Sequence, residues 1–498
     1  MITKTNESCG LSKHLTVRQI VLFVISCLFV FFVYIFALLN NNITYDSTYE
    51  YFLIRHPFNE MWTLIPEDYS PPLYSVILKS FAELFGYSLP VLRLFSYFSF
   101  VGMLYLAVFP VKRLFGEKVS VFCTLLYATS TVNYVYTVDI RPATFAYFFS
   151  TAVVIYSLLT KVEDKPRNYV ILCLFSVLAV YTHYVSLVFA FSIYLICIVD
   201  CLIKKHYKQI IRYLLCGAVI AISYAPWLIV LIRQTKNVHS HFWADELNSN
   251  IIIGLINVFV KPFSSFDWGY CIAGNLLIIT FAIAVILFVL KKNTNIERSK
   301  IIFLLSEIFI SLLIFQIVVD SFKIPAPRYY YIFSGTALLV AAVLITELIR
   351  KRIVIISLSA ACLINCSLNC IHMYKLRDDN VYQLMVSDYT ANANEEDLVF
   401  LHYQEFSMGI FSYYFPNAKH YISDETATVI REFSVFPTNI TNVGDSNNIW
   451  KYTDDFYYAY PYFHDADYPL TGEYRFYECP YAFECEYDAD FLIYHLSK

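Results

Sequence analysis

Two carboxylates, Asp46 and Glu50, stand four residues apart in YDSTYEYFLIRHP (residues 45–57), just after a long apolar run. On a helix that spacing puts both on one face. Carboxylates fixed there are of the type that acid–base chemistry uses. A structural role competes for the same residues. Ser47 and Glu50 read S-x-x-E, a capping box, and Asp46 is itself a good helix cap. The two roles are compatible, because a helix start holds a carboxylate rigidly. The helix so begun is amphipathic, with Tyr49, Phe52 and Leu53 expected to face lipid from the interface plane.

Other polar residues collect at the same level. Glu67 and Asp68 precede SPPLY, in which Ser70 is expected to cap a helix, Pro71 to open it and Gly86 to close it. Arg141 lies in VDIRPATF, Arg93 in LPVLRLFS and Arg328 in APRYYY, followed by Tyr329. Each arginine suits either snorkelling to lipid phosphate or convergence on a bound phosphate, whose oxygens match the guanidinium fork. His183 sits in YTHY between Tyr181 and Tyr184, where the chain turns. No Cys/His cluster has metal spacing, so no metal and no cofactor are expected.

These residues must be positioned by a membrane bundle. The 498 residues are 58% hydrophobic and 18% aromatic, with only 15% charged. A soluble domain has no use for that much apolar surface. Apolar spans at 20–39, 89–110, 119–138, 143–159, 169–182, 184–203, 213–232, 270–290, 301–319, 329–346 and 353–371 predict about 11 transmembrane helices. The first is expected to be retained, not cleaved as a signal peptide. Segments assigned inside hold 20 Lys and Arg and those outside nine, which predicts a cytoplasmic N-terminus and, with an odd count, an extracytoplasmic C-terminus. The expected division is a cytoplasmic tail 1–19, a membrane domain 20–372 with outer segments 41–88 and 233–269, and an extracytoplasmic α/β domain 373–498. That last part is acidic, with 21 Asp and Glu against 7 Lys and Arg, and its DLVFLHY and FLIYHL read as buried strands. Cys479 and Cys485 are its only cysteines, and a bond between them is an open expectation.

The order of these motifs resembles the bacterial membrane glycosyltransferases of the glycosyltransferase-39-like group, relatives of protein O-mannosyltransferases and of the aminoarabinose transferase that acts on lipid A. The resemblance rests on an acid after helix one, D-x-x-P-P-L-Y, L-R-x-x-S, R-P before a helix, Y-T-H-Y and an R-Y opening a late helix, over roughly residues 15–350. The family often has Asp-Glu where this chain has Asp46-Ser47, and His or Lys where it has Ser70. The resemblance implies a GT-C fold, a polyprenyl-phosphate sugar donor and an acceptor lipid, glycan or protein, with no nucleic-acid partner. It implies Asp46 as base in an inverting transfer, Glu50 holding the helix, and Arg141 and Arg328 on the leaving phosphate with Arg93 weaker. It also implies Glu67 or Asp68 orienting sugar or acceptor, and Tyr181, His183 and Tyr184 lining the cavity. A transporter, a flippase or a polymerase of lipid-linked glycans is the competing expectation. A transporter would carry polar residues deep in several spans, whereas here only Glu307 lies clearly inside one.

Overall fold

The computed structural model describes residues 16–497 except 41, 69, 131–135, 137, 242–250, 264–271, 291–293, 295, 323–326, 350, 379–386, 392, 403–404, 424–434, 437–439, 463–473 and 478–489. Cys479 and Cys485 therefore lie outside the described residues.

The helices are α1 Val17–Leu38, α2 Tyr45–Leu53, α3 Phe58–Leu64, α4 Leu73–Phe85, α5 Leu89–Leu106, α6 Glu117–Ala128, α7 Ala143–Val162, α8 Pro166–Thr182, α9 Tyr184–Ile203, α10 Tyr207–His241, α11 Ile251–Val260, α12 Ile272–Leu290, α13 Arg298–Phe322, α14 Tyr331–Leu348 and α15 Arg352–Asp378. Nine helices among the described residues are long and apolar enough to cross a membrane. Helix α8, with 17 residues, reaches the lower limit for a crossing. Helix α6 is shorter than the expected 119–138 span and ends at Ala128. Helix α14 is the axis of the bundle: 94% of its apolar window is buried, against 22% for the lipid-facing α1. Glu307 of α13 is fully buried and accepts a hydrogen bond from Ser157 of α7 at 2.6 Å, which satisfies one oxygen of that intramembrane acid.

Three short helices, α2 to α4, lie between the spans α1 and α5. Their starts differ from the sequence expectation. Thr44, not Ser47, caps α2, accepting from the Ser47 backbone N–H, and Ser47 sits inside the first turn. Its hydroxyl is drawn away to Asp139, so the S-x-x-E box does not form. Helix α4 begins at Leu73 after Pro72 with no side-chain cap, two residues past the place expected from Ser70. Gly86 does end it, at a φ of 103° that favours glycine.

Arg93 of α5 holds this region to the bundle. It is fully buried, and its guanidinium donates to the carbonyls of Val138 at 3.0 Å, Asn42 at 2.5 Å, Ala37 at 3.4 Å and Asn40. One side chain thus ties the end of α1, the approach to α2 and the approach to α7.

Beyond the bundle is a six-stranded sheet of β1 Val399–His402, β2 Lys419–Ile422, β3 Ile440–Asn442, β4 Asp455–Tyr462, β5 Tyr474–Tyr477 and β6 Asp490–Ser497. Its order is β3-β2-β1-β4-β6-β5. Strand β1 is parallel to β2 and β4, and β6 is antiparallel to β4 and β5. Helix α16, Glu405–Tyr414, makes the crossover from β1 to β2 and lies on α2. A Cβ on Gly409 would stand 2.6 Å from the Thr48 hydroxyl, so only glycine permits that approach. Phe436 packs on Tyr45, Tyr49 and Phe52, and the Tyr414 hydroxyl accepts from the Ile43 N–H at 3.2 Å. The aromatic face of α2, expected against lipid, is therefore covered by the sheet domain: aromatic surface is buried there by protein, with ring-to-ring contacts that lipid cannot supply.

Replacing Arg93 by Gln strands several buried carbonyls at once. The detergent-solubilised variant is expected to lose about 3 kcal/mol or more of stability, read as a lower thermal midpoint. An unchanged midpoint would show that the clamp holds nothing.

Candidate active site

The site assembles from three segments that Arg93 and the sheet domain bring together: α2, the turn Ile65–Asp68 and the loop 139–142 before α7. Arg141 joins them. Its Nη2 meets Asp46 Oδ1 at 2.9 Å and its Nη1 meets Asp68 Oδ2 at 3.2 Å. The guanidinium also lies 5.5 Å from the centre of the Tyr49 ring. The Asp46 side chain is 30% exposed and that of Asp68 only 11%, so Asp46 is the carboxylate an incoming group can reach. Asp46 also occupies the first turn of α2, where the helix dipole favours negative charge.

Asp139 belongs to the same cluster, although the sequence reading passed over it. Its Oδ1 accepts from the hydroxyls of Thr44 and Ser47, each at 2.9 Å. The Ile140 N–H donates to the Ser47 hydroxyl at 3.0 Å, which closes the link between loop and helix. Burial first, and then the neighbouring Asp46, raise the Asp139 carboxyl above the ordinary range, against the lowering influence of Arg141 and the two hydroxyls. The signal was available: an acid two residues before Arg141 in the segment VDIRP.

Glu50 lies one turn beyond Asp46 and is almost completely buried. Burial pushes its carboxyl up to about 7; Arg141 and a hydrogen bond from Ser75 pull the other way, while Asp68 and Asp139 add to the rise. For Arg141, burial opposes the charge, but Asp46, Asp68 and Glu50 outweigh it and hold the guanidinium firmly protonated.

The remaining residues fall into supporting places. The Tyr184 hydroxyl donates to Gln234 Oε1 and accepts from Trp227 Nε1 at 3.1 Å. Gln234 Nε2 in turn donates to the carbonyls of Pro66, at 2.9 Å, and Asp68. Tyr184 therefore braces the turn that presents Asp68. Gln234 was not foreseen, because nothing marks a lone Gln near the end of an apolar helix. His183 separates α8 from α9 in an extended conformation, and its Nδ1 accepts from the Val185 N–H at 3.1 Å, as a helix cap. Its ring lies 5.5 Å from that of Tyr329. Tyr181 donates to the Ser223 carbonyl, tying α8 to α10. Glu67 is exposed and faces Arg233 at 3.6 Å. Arg93 does not join the cluster, since its N–H groups are spent on carbonyls. Arg328 falls in the short turn Pro327–Tyr330, and its side chain lies outside the described residues. Among the described residues no cluster of His, Cys, Asp and Glu could hold a metal ion.

Such a site can take a proton from a hydroxyl at Asp46 while Arg141 fixes that carboxylate. Glu50 adds a pH dependence of stability. Its folded-state value lies above the unfolded 4.5, so its contribution is present at low pH and is lost as pH rises toward about 7. Glu50→Gln is expected to unfold at a higher temperature than wild type near about pH 8, with the gap closing near about pH 5. Parallel pH profiles for the two proteins would contradict this.

Comparison with known proteins agrees with the motif order. Residues 69–230 match the family model described as dolichyl-phosphate-mannose-protein mannosyltransferase. The chain has the fold of ArnT from Cupriavidus metallidurans bound to undecaprenyl phosphate, with a TM-score of 0.63 at 11% identity over 90% of this chain and 94% of that one. The apo state of the same protein gives 0.57 at 12% identity, over 88% and 92%. No curated protein matches the sequence. The resemblance to membrane glycosyltransferases of the GT-C type is thereby borne out, with the GT-C architecture of a helical bundle and a small C-terminal sheet.

Proposed function

We propose that this chain, a GT-C-type protein whose residues 69–230 carry the mannosyltransferase family segment, moves a sugar from a polyprenyl-phosphate donor to an acceptor hydroxyl on the extracytoplasmic face. The observation that carries the reading is the fork of Arg141 across Asp46 and Asp68, with Asp46 the more open of the two. The orientation rests on the excess of Lys and Arg in the segments assigned inside. The donor class is that of the lipid phosphate bound in the similar ArnT structure.

In this reading Asp46 takes the proton from the acceptor hydroxyl as its oxygen bonds to the anomeric carbon. The bond from that carbon to the phosphate oxygen breaks, and its electron pair leaves with the phosphate. Inversion requires the phosphate on the face of the sugar opposite the base. A guanidinium locked 2.9 Å from Asp46 is therefore poorly placed to touch the leaving oxygen as well. Arg141 is assigned to orienting Asp46, and the leaving phosphate to Arg328, on the turn that opens α14. Asp68 holds the other end of the fork, and the exposed Glu67 stays at the rim with Arg233. Tyr329, beside His183, is assigned to the cavity wall.

Asp46→Asn is expected to reduce transfer of labelled sugar in membranes about a hundredfold or more. Full turnover at normal expression would remove the assignment. Arg141→Gln is expected to lower kcat more than it raises donor KM, and Arg328→Gln to raise donor KM more than it lowers kcat. The opposite pattern would exchange their roles.

A further inference from the structure

Glu50 carries more than a helix-holding role. Its Oε1 is buried and has no hydrogen-bond partner among the described residues. Arg141, the cation of the cluster, directs Nη1 and Nη2 to Asp68 and Asp46 and makes no hydrogen bond to Glu50. A buried carboxylate oxygen with no donor is costly as an anion and far less so as a neutral acid. The groups that face it do not change this. From α4, Ser75 donates to the carboxyl and Tyr74 lies close enough to feel its charge. From the loop and turn come Asp139 and Asp68, both acids, and Arg141. Lys79, further along α4, is turned to Glu83 at 3.0 Å and to the Ile54 carbonyl at 3.0 Å.

We propose that Glu50 is a charge-regulating residue: it stores one proton in the resting site and keeps the acidic cluster open to an anionic lipid phosphate. Four carboxylates, Asp46, Asp68, Asp139 and Glu50, surround one described arginine. Each that ionises adds repulsion against an anionic donor, and the low-dielectric setting strengthens that repulsion. With Glu50 protonated, Arg141 is shared by fewer charges. With Glu50 ionised, the site gains a negative charge that neither Asp46 nor Asp68 can release Arg141 to balance. The burial-raised value of about 7 puts this change within the physiological range. By linkage, a bound phosphate must in turn hold the proton on Glu50.

This inference rests on the donor class proposed above, and its test separates the two. Undecaprenyl phosphate binding to the purified, detergent-solubilised full chain is measured across about pH 6 to 8.5 for wild type and Glu50→Gln, with the Glu50→Asp variant alongside. Wild-type affinity is expected to fall about tenfold relative to Glu50→Gln across that interval, the size of one added like charge. Using the same ligand for both proteins cancels the titration of the phosphate itself. Infrared difference spectra of wild type against Glu50→Gln supply a second readout: a protonated-carboxyl band that disappears as pH rises through about 7. Wild type that binds no undecaprenyl phosphate at any pH overturns the proposed donor class, whatever the infrared band shows. Binding that is present but follows the same pH course in wild type and Glu50→Gln overturns the role of Glu50 alone, as does a missing protonated-carboxyl band. Should Glu50→Gln fail to fold, Glu50→Asp replaces it, with a shorter acid expected to move the midpoint of the affinity curve; an unmoved midpoint overturns the proposal.

Discussion

One guanidinium holds the site together. Arg141 reaches Asp46 on α2 and Asp68 on the turn Ile65–Asp68 from a third segment that is remote in sequence from both. Without that bridge the carboxylates would repel across a partly buried space. With it, each is fixed and one is left open. A partly buried pair of this kind is costly to break from one side, because the partner is stranded in low dielectric. The surrounding structure serves the bridge. Arg93 pins the approaches to α2 and α7 from below, Tyr184 and Gln234 brace the Asp68 turn, and α16 of the sheet domain covers α2.

The sheet domain therefore bears directly on the site. Helix α16 packs on the helix that carries Asp46 and Glu50, and Gly409 sets how close it comes. His56, just after α2, donates to the Val435 carbonyl at 2.8 Å. The sheet domain covers the Tyr45, Thr48 and Tyr49 face of α2, while Glu50 is enclosed by Ser75 and Tyr74 of α4 and by the Arg141 cluster. Packing of the sheet domain on α2 and the geometry of the acids on that helix are thus one arrangement seen at two scales.

Much of the fold was legible because its signal is strong and local. Apolar runs of membrane length give helices, and each expected span coincides with a helix, with α6 the one that ends early. The break at His183 was legible from length alone, since 35 apolar residues are too many for one crossing and enough for two. Asp46, Asp68 and Arg141 were singled out by residue type and place along the chain, and the fold brings the three side chains together. What the sequence hid were long-range partners. Ser47 looked like half of a capping box, yet its hydroxyl is captured by Asp139 across the fold. Arg93 looked like Arg141, but only the fold shows that backbone carbonyls consume its donors. The aromatic face of α2 reads as lipid-facing, because a sequence does not say which apolar surface will arrive to cover it.

The most direct test is an experimental structure of the protein with undecaprenyl phosphate bound. The account predicts the phosphate between the Asp46–Arg141 pair and the turn Pro327–Tyr330, on the far side of the sugar position from Asp46. A phosphate seated elsewhere in the bundle, with no open path to Asp46, would contradict it.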